Sequence, residues 1–205
     1  MADGGEIRRG RKFDQVIEGA REVFHAKGFE GASVDEIARV AGVSKATLYS
    51  YCPDKRLLFL EVARAEYERQ AATAKQWLNS DGPIEDWLRT AARVIVESIL
   101  SDFSRDLYRM AVSEADRFPE VAQGFYENGP MLVHRLAEPY LRKAIERGEL
   151  KIDDMDLAIG QFHELCKAHH CIRFTLGLQH SFTAQEKQRL ADEAVAMFLA
   201  RYGTT

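Results

Sequence analysis

Lys45, Ala46, Thr47, Tyr49, Tyr51 and Lys55 lie within one short stretch of the chain, and their types suit a surface that reads DNA. Lysine ammoniums meet phosphates, and small side chains such as Ala46 and Thr47 can approach base edges or a thymine methyl. Tyrosine joins a flat apolar body to a hydroxyl donor. Ser33 and Ser44 stand before the two short apolar segments that flank Gly42. A serine at a helix start caps it, and backbone N–H groups there attract anions.

A second group suits a different chemistry. Trp87, Phe103, Tyr108, Met110, Phe125, Tyr126, His134, Phe162 and Cys166 combine aromatic bulk with a few polar groups, the make-up of a small-molecule cavity. Taken singly, each fits an ordinary helical core equally well. Glu114 falls on the stripe of Leu107, Met110 and Ala111, so its carboxylate is expected to face inward. A cationic ligand or an arginine of the chain would then partner it. His163, Cys166 and His170 stand at i, i+3 and i+7, one face of a continuous helix, with donors that suit zinc or copper. Their spacing lacks the paired short loops of structural zinc sites. A histidine-bearing interface helix explains them too, so no metal and no cofactor is assigned. No P-loop, G-x-G-x-x-G, H-E-x-x-H or G-x-S-x-G motif occurs, which argues against an enzyme.

The elements that must position these residues read as helices throughout. Phe13, Ile17, Ala20 and Phe24 recur at helical spacing, and Gly28 is placed to stop that helix. Ser33 with Glu36 fits a capping box that opens a second helix, and Ser44 opens a third through Tyr51. The Cys52-Pro53 step ends the third helix. Two short helices joined by a tight glycine turn are the helix-turn-helix that lays its second helix in the major groove. A long fourth helix over 54–78 precedes a clear break at Asn79, Ser80, Asp81, Gly82 and Pro83. Further helices are expected over 84–100, 104–115 and 119–128. Another runs over 130–147, with Pro139 expected to kink or break it. A long penultimate helix over 155–178 and a last one over 184–202, opened by Thr183 and Glu186, complete an all-α chain. The boundary is set at 60/61, giving a DNA-binding domain over 1–60 and a ligand-binding and dimerisation domain over 61–205.

Composition is compatible with this plan. The 205 residues are 46% hydrophobic and 29% charged, ordinary for a globular protein. No apolar run reaches the roughly 18 residues of a membrane helix, and the start is polar and basic, so a cytoplasmic protein is expected. Cys52, Cys166 and Cys171 form no disulfide framework. The net charge of −4 is unevenly placed, because the first sixty residues hold 10 Lys and Arg against 9 Asp and Glu. Arg8, Arg9, Arg11 and Lys12 form a basic cluster ahead of the first helix, and phosphate contacts need only such a patch.

The run GFEGASVDEIARVAGVSKATLY at 28–49 and its continuation SYCPDKRLLF at 50–59 closely resemble the DNA-binding signature of the TetR family. FPEV at 118–121 and RGEL at 147–150 are more weakly similar to an AefR-like regulatory domain. The resemblance implies a ligand-responsive homodimeric repressor on a near-palindromic double-stranded operator, with a small-molecule effector and no membrane partner. It implies DNA contacts from Lys45, Thr47, Tyr49, Tyr51 and Lys55. It also implies a dimer built from the last two long helices. Leu157, Phe162, Leu165, Ile172 and Leu176 lie along one of these, and Leu190, Ala194, Phe198 and Tyr202 along the other. The family usually has phenylalanine at the position of Cys52, so looser packing and a thiol near the DNA face are expected. The rival reading is a helical protein-interaction or metal-sensing module without specific operator binding. The outward-facing set decides between them: Tyr49→Ala is expected to weaken operator binding by about 1–3 kcal/mol, measured by fluorescence anisotropy, and unchanged affinity would remove the carry-over.

Overall fold

The computed structural model describes residues 10–77 and 82–204. Arg8, Arg9, Leu78 and most of the break at 79–83 lie outside the described residues. Within them the chain forms eleven α-helices and no strand, with one isolated antiparallel bridge between Leu150 and Gly203.

The N-terminal helices follow their punctuation. α1 (Arg11–Gly31) buries Phe13, Val16, Ile17, Ala20, Val23 and Phe24. Gly28 takes φ +69, as expected for a stop, yet the chain resumes one more helical turn to Gly31. α2 (Val34–Val40) is capped by Ser33, whose Oγ accepts the Glu36 N–H at 3.2 Å. The Glu36 carboxylate does not complete the capping box; it accepts from Lys27 Nζ at 2.7 Å, tying α2 to the end of α1. α3 (Lys45–Tyr51) is capped by Ser44 in the same manner, and α4 (Lys55–Trp77) follows.

The remaining helices are α5 (Ile84–Ile99), α6 (Asp102–Glu114), α7 (Pro119–Asn128), α8 (Pro130–Glu146), α9 (Met155–Leu165), α10 (His170–Thr175) and α11 (Ala184–Tyr202). α8 runs unbroken through Pro139. The expected long penultimate helix is the larger correction. It stops at Leu165, and a turn over 166–169 with His169 at φ +63 restarts the chain as α10. The full capping box expected at Thr183 and Glu186 is present at the start of α11.

Side chains gather into two cores. The first joins α1, α2, α3 and the start of α4 to Phe103, Leu107 and Met110 of α6 and Val121 of α7. Packing therefore runs straight across position 60. The second is built on α5, α8, α9, α10 and α11 around Leu88, Ala92, Leu141, Phe162, Phe174 and Phe198. Leu190, Ala194, Phe198 and Tyr202 belong to this core, so that stripe of the last helix is internal. Leu157, Ile172, Leu176 and Met197 are instead each more than half exposed.

One close approach fixes the first domain. A β-carbon placed on Gly19 would lie 2.7 Å from the Cα, Cβ and backbone N of Ala41, so α1 touches the end of α2 backbone to side. Alanine favours helix by about 1 kcal/mol over glycine, but backbone atoms cannot yield as a flexible side chain does. The clash wins, and Gly19→Ala is expected to destabilise the protein by about 1–3 kcal/mol. Urea unfolding checks this; a more stable variant would show that α1 and α2 stand further apart.

Candidate DNA interface and internal cavity

α3 presents its polar face outward. Lys45, Ala46, Tyr49 and Ser50 are exposed and Thr47 is half-buried, while Leu48 anchors the helix in the first core. Ser44 Oγ accepts the Thr47 N–H at 3.1 Å and lies 2.8 Å from the Thr47 hydroxyl. The hydroxyls of Ser33 and Ser44 thus each take up an N–H of the first turn of their own helix. Lys45 Nζ pairs with Asp35 Oδ1 at 2.6 Å, with both side chains more than half exposed. Such a pair is worth about 0–1 kcal/mol, so the ammonium can exchange it readily for a phosphate. Tyr51 is half-buried, its ring edge-on to Phe13 at 5.8 Å.

Two expectations change here. Lys55 is held internally: its Nζ donates to the Phe29 carbonyl at 2.9 Å and the Ala32 carbonyl at 3.2 Å, and lies 4.3 Å from the Phe29 ring centroid. It pins the loop after α1 to the start of α4. Cys52 is 1% exposed, and burial pushes its thiol up to about 11. The sulfur fills the core beneath α3 rather than facing outward.

A cavity of about 510 Å³ lies between α4, α5, α6, α7, α8, α9 and α10. Trp87, Tyr108, Phe125 and Phe162 line it, as expected. The other six candidates stand elsewhere. Phe103 and Met110 share the helical face of Tyr108's neighbours but turn into the first core, where Phe103 packs on Phe59 at 4.9 Å. Tyr126 is 54% exposed. His134 turns to Asp156, its Nε2 2.8 Å from the carboxylate. Cys166 is fully enclosed in the second core, with burial raising its thiol to about 12. Glu114 pairs with an arginine of the chain, described below. The His163, Cys166 and His170 set loses its common face to the turn at 166–169, and among the described residues no cluster of three or more His, Cys, Asp or Glu is arranged to hold a metal.

The cavity wall also holds residues that sequence reasoning missed, including Tyr67, Tyr140, Arg105, His163 and Lys167. Tyr67 and Tyr140 carry an aromatic signal that helical spacing could have found; Arg105 and Lys167 read as solvated charges. Arg105 Nη2 pairs with Asp106 at 2.9 Å, and Lys167 Nζ with Glu164 at 2.6 Å. Burial, with Lys167 adding to it, lowers His163 to about 4, so its imidazole is neutral at physiological pH.

Comparison with known proteins decides what carries these features. The model for bacterial regulatory proteins of the tetR family matches residues 16–62, and that for the C-terminal domain of AefR-like transcriptional repressors matches residues 86–204. The chain belongs to the TetR family. It is similar to a TetR-family transcriptional regulator of Mesorhizobium loti, at 28% identity and a TM-score of 0.82, covering 97% of this chain and 100% of that one. It is likewise similar to the flavonoid-responsive regulator FrrA, at 32% identity and a TM-score of 0.67, covering 96% and 99%. The HTH-type transcriptional regulator YezE of Bacillus subtilis is 28% identical over 156 residues, 73% of this chain and 79% of that one. As a TetR-family member the protein is a DNA-binding transcriptional regulator and not an enzyme.

In this TetR-family chain an ion-pair network joins the DNA-binding helices to the helical body. Arg56 donates through Nη1 to Glu114 Oε2 at 2.6 Å and through Nε to Asp54 Oδ1 at 2.8 Å, and its guanidinium lies 3.4 Å from the Phe118 ring centroid. Both partners of the Arg56–Glu114 pair are about four-fifths buried. The Asp54 hydrogen bond, then that of Glu114, holds the guanidinium charged well above its ordinary range, and Arg56 in turn lowers Asp54. Breaking a pair of this kind leaves a charge without its partner, which costs more than the pair contributes.

His163 gives a pH signature. The unfolded imidazole takes a proton below its ordinary pKa of 6.5, whereas the folded one resists it down to about 4. The native state therefore binds fewer protons across that window, and stability falls as pH drops through it. His163→Gln is expected to lose less stability than the wild type between pH 6.5 and 4, by about 2–3 kcal/mol. Parallel urea titrations at the two pH values check this, and equal losses would show a solvated His163.

Proposed function

We propose that this regulator grips a near-palindromic operator as a homodimer, and that a small molecule entering the cavity weakens the grip. The observation that carries this reading is the reach of α4. One helix begins beside the DNA-facing α3, with Lys55 and Arg56 in its first turn, and places Tyr67 in the cavity wall. A ligand that repositions α4 would change the spacing of two recognition helices that must sit about one DNA turn, roughly 34–36 Å, apart. It acts only through a difference in affinity for the two arrangements. Lys45, Ala46, Thr47 and Tyr49 supply the readout, with Tyr51 and Lys55 holding the frame. The outward Leu157, Ile172, Leu176 and Met197 supply the dimer face. No helix among the described residues is long and apolar enough to cross a membrane, which agrees with a cytoplasmic partner such as DNA. The flavonoid response of FrrA supports flavonoids as the first effectors to try.

The test is fluorescence anisotropy against genomic fragments selected by the protein itself, followed by addition of a flavonoid panel. Tight binding that resists unrelated duplex and weakens steeply with salt is expected, with release by at least one flavonoid. Ala91→Trp, which fills the cavity from α5, is expected to keep operator binding and lose release. Equal release from both proteins would place the effector outside the cavity, and indiscriminate weak DNA binding would remove operator recognition itself.

A further inference from the structure

The cavity wall carries neutral polar groups to which the chain gives no partner. Trp87, Ala91, Val94 and Ser98 recur at i, i+4, i+7 and i+11 along α5 and all line the cavity, so one helical face carries the Ser98 hydroxyl toward it. His163 lines the same space from α9, next to Phe162. Its side chain is 14% exposed, and no hydrogen bond reaches either ring nitrogen among the described residues. Both nitrogens nevertheless keep accessible surface, unlike the sealed Trp87 Nε1. Two further acceptors of the wall are engaged: Glu164 takes Lys167 Nζ at 2.6 Å, and Thr175 Oγ1 lies 4.0 Å from Cys171 Sγ. Glu164 also settles where the imidazole carries its proton. Its Oε1 lies 3.8 Å from His163 Nδ1, too far for a hydrogen bond but close enough for its charge to favour the proton on that nitrogen. Burial, and then the charge of Lys167, keeps the ring neutral, so Nε2 is left with a lone pair and no donor. An enclosed acceptor without a donor is unfavourable.

Resting on the reading that the cavity holds the effector, we infer that this effector is an uncharged phenol whose hydroxyl donates to His163 Nε2. Its ring meets an aromatic wall, in which Tyr140 stacks on Trp87 at 5.0 Å and Tyr108 meets Phe125 edge-on at 5.8 Å. The Ser98 hydroxyl both donates and accepts, so it suits a second oxygen of the ligand, whereas the Nε2 lone pair demands a donor. A ketone or an ether would set its own lone pairs against that nitrogen. A carboxylate would do the same, and would bring a full charge into a wall where Arg105 is answered by Asp106 and Lys167 by Glu164; its desolvation would go uncompensated. An ammonium would donate, but it would stand among those two cations. A purely hydrocarbon ligand would bury Nε2 and leave it unpaired.

β-Naphthol, its methyl ether and naphthalene form a matched set of probes. They share two rings and differ at one position, which bears a hydroxyl that donates, an oxygen that only accepts, or a hydrogen. Equilibrium dialysis of the full chain is expected to show β-naphthol binding about tenfold tighter than either of the others, the worth of one hydrogen bond to a buried acceptor. His163→Phe, which keeps a flat ring in place, is expected to remove that preference by weakening β-naphthol, while retained naphthalene binding shows an intact cavity. Nitrogen NMR of the wild type covers a variant that fails to fold: the signal of unprotonated His163 Nε2 should move toward its protonated position with β-naphthol and stay in place with naphthalene. Equal affinity for β-naphthol and its methyl ether, a hydroxyl preference that survives in His163→Phe, an unmoved Nε2 signal, or no binding of any probe would each overturn the inference. The Ala91→Trp release assay separates this from the parent reading. If that variant still blocks release while the β-naphthol result fails, the cavity holds an effector of another class; if it does not block release, the cavity reading falls first.

Discussion

Phe59 is fully buried and meets three other phenylalanines, with ring centroids 4.6 Å from Phe24, 5.2 Å from Phe29 and 4.9 Å from Phe103. These rings come from α1, the turn after Gly28, α4 and α6, so the cluster belongs equally to the DNA-binding head and the helical body. Each aromatic pair adds about 0.5–1.5 kcal/mol beyond the area it buries, and the cluster cannot be opened one helix at a time. The placement of α1 and of the start of α4 is therefore set by α6 as well as by their immediate neighbours. Gly28 reinforces the same junction: a β-carbon there would lie 2.7 Å from the Asp106 carboxylate of α6.

The polar counterpart of that cluster is the Arg56 network. α6 lines the cavity with Ser104, Arg105 and Tyr108 near its start and holds Arg56 through Glu114 at its end. It is also tied to α10, because Arg109 Nε donates to the Thr175 carbonyl at 2.8 Å and Arg105 lies 5.0 Å from the Phe174 ring centroid. Apolar packing makes the junction rigid, while a directional ion pair makes it sensitive to small shifts. Both properties are needed where a change of packing at one end is to be read at the other.

The helix-turn-helix was legible because its signals are local. Ser33, Ser44 and Gly42 act on residues one to four positions away, and the caps form where their spacing places them. The cavity was less legible because its walls are set by long-range packing. Phe103 and Tyr108 lie on the same short helix, yet one enters the first core and the other faces the cavity, and helical periodicity does not contain that choice. Lys55 has the composition of a phosphate contact and the position of a strut, since two carbonyls with no helical partner lie within its reach. The break at 166–169 has neither proline nor glycine to announce it; His169 adopts φ +63 without the residue type that usually permits it.

That break gives the short stretch after α9 two occupations. Lys167, Ala168, His169, Cys171, Ile172 and Thr175 line the cavity, while Leu176, and Ile172 over the exposed part of its side chain, stand on the surface proposed for the partner subunit. In such a dimer, filling the cavity and joining two chains act on the same few residues. Mass action then links them: whichever state of this stretch favours association also sets how strongly it holds the small molecule. On the proposed reading, the apparent sensitivity of the regulator to its effector becomes a function of how much regulator the cell contains, so that a change in expression alone would retune the dose at which the operator is released.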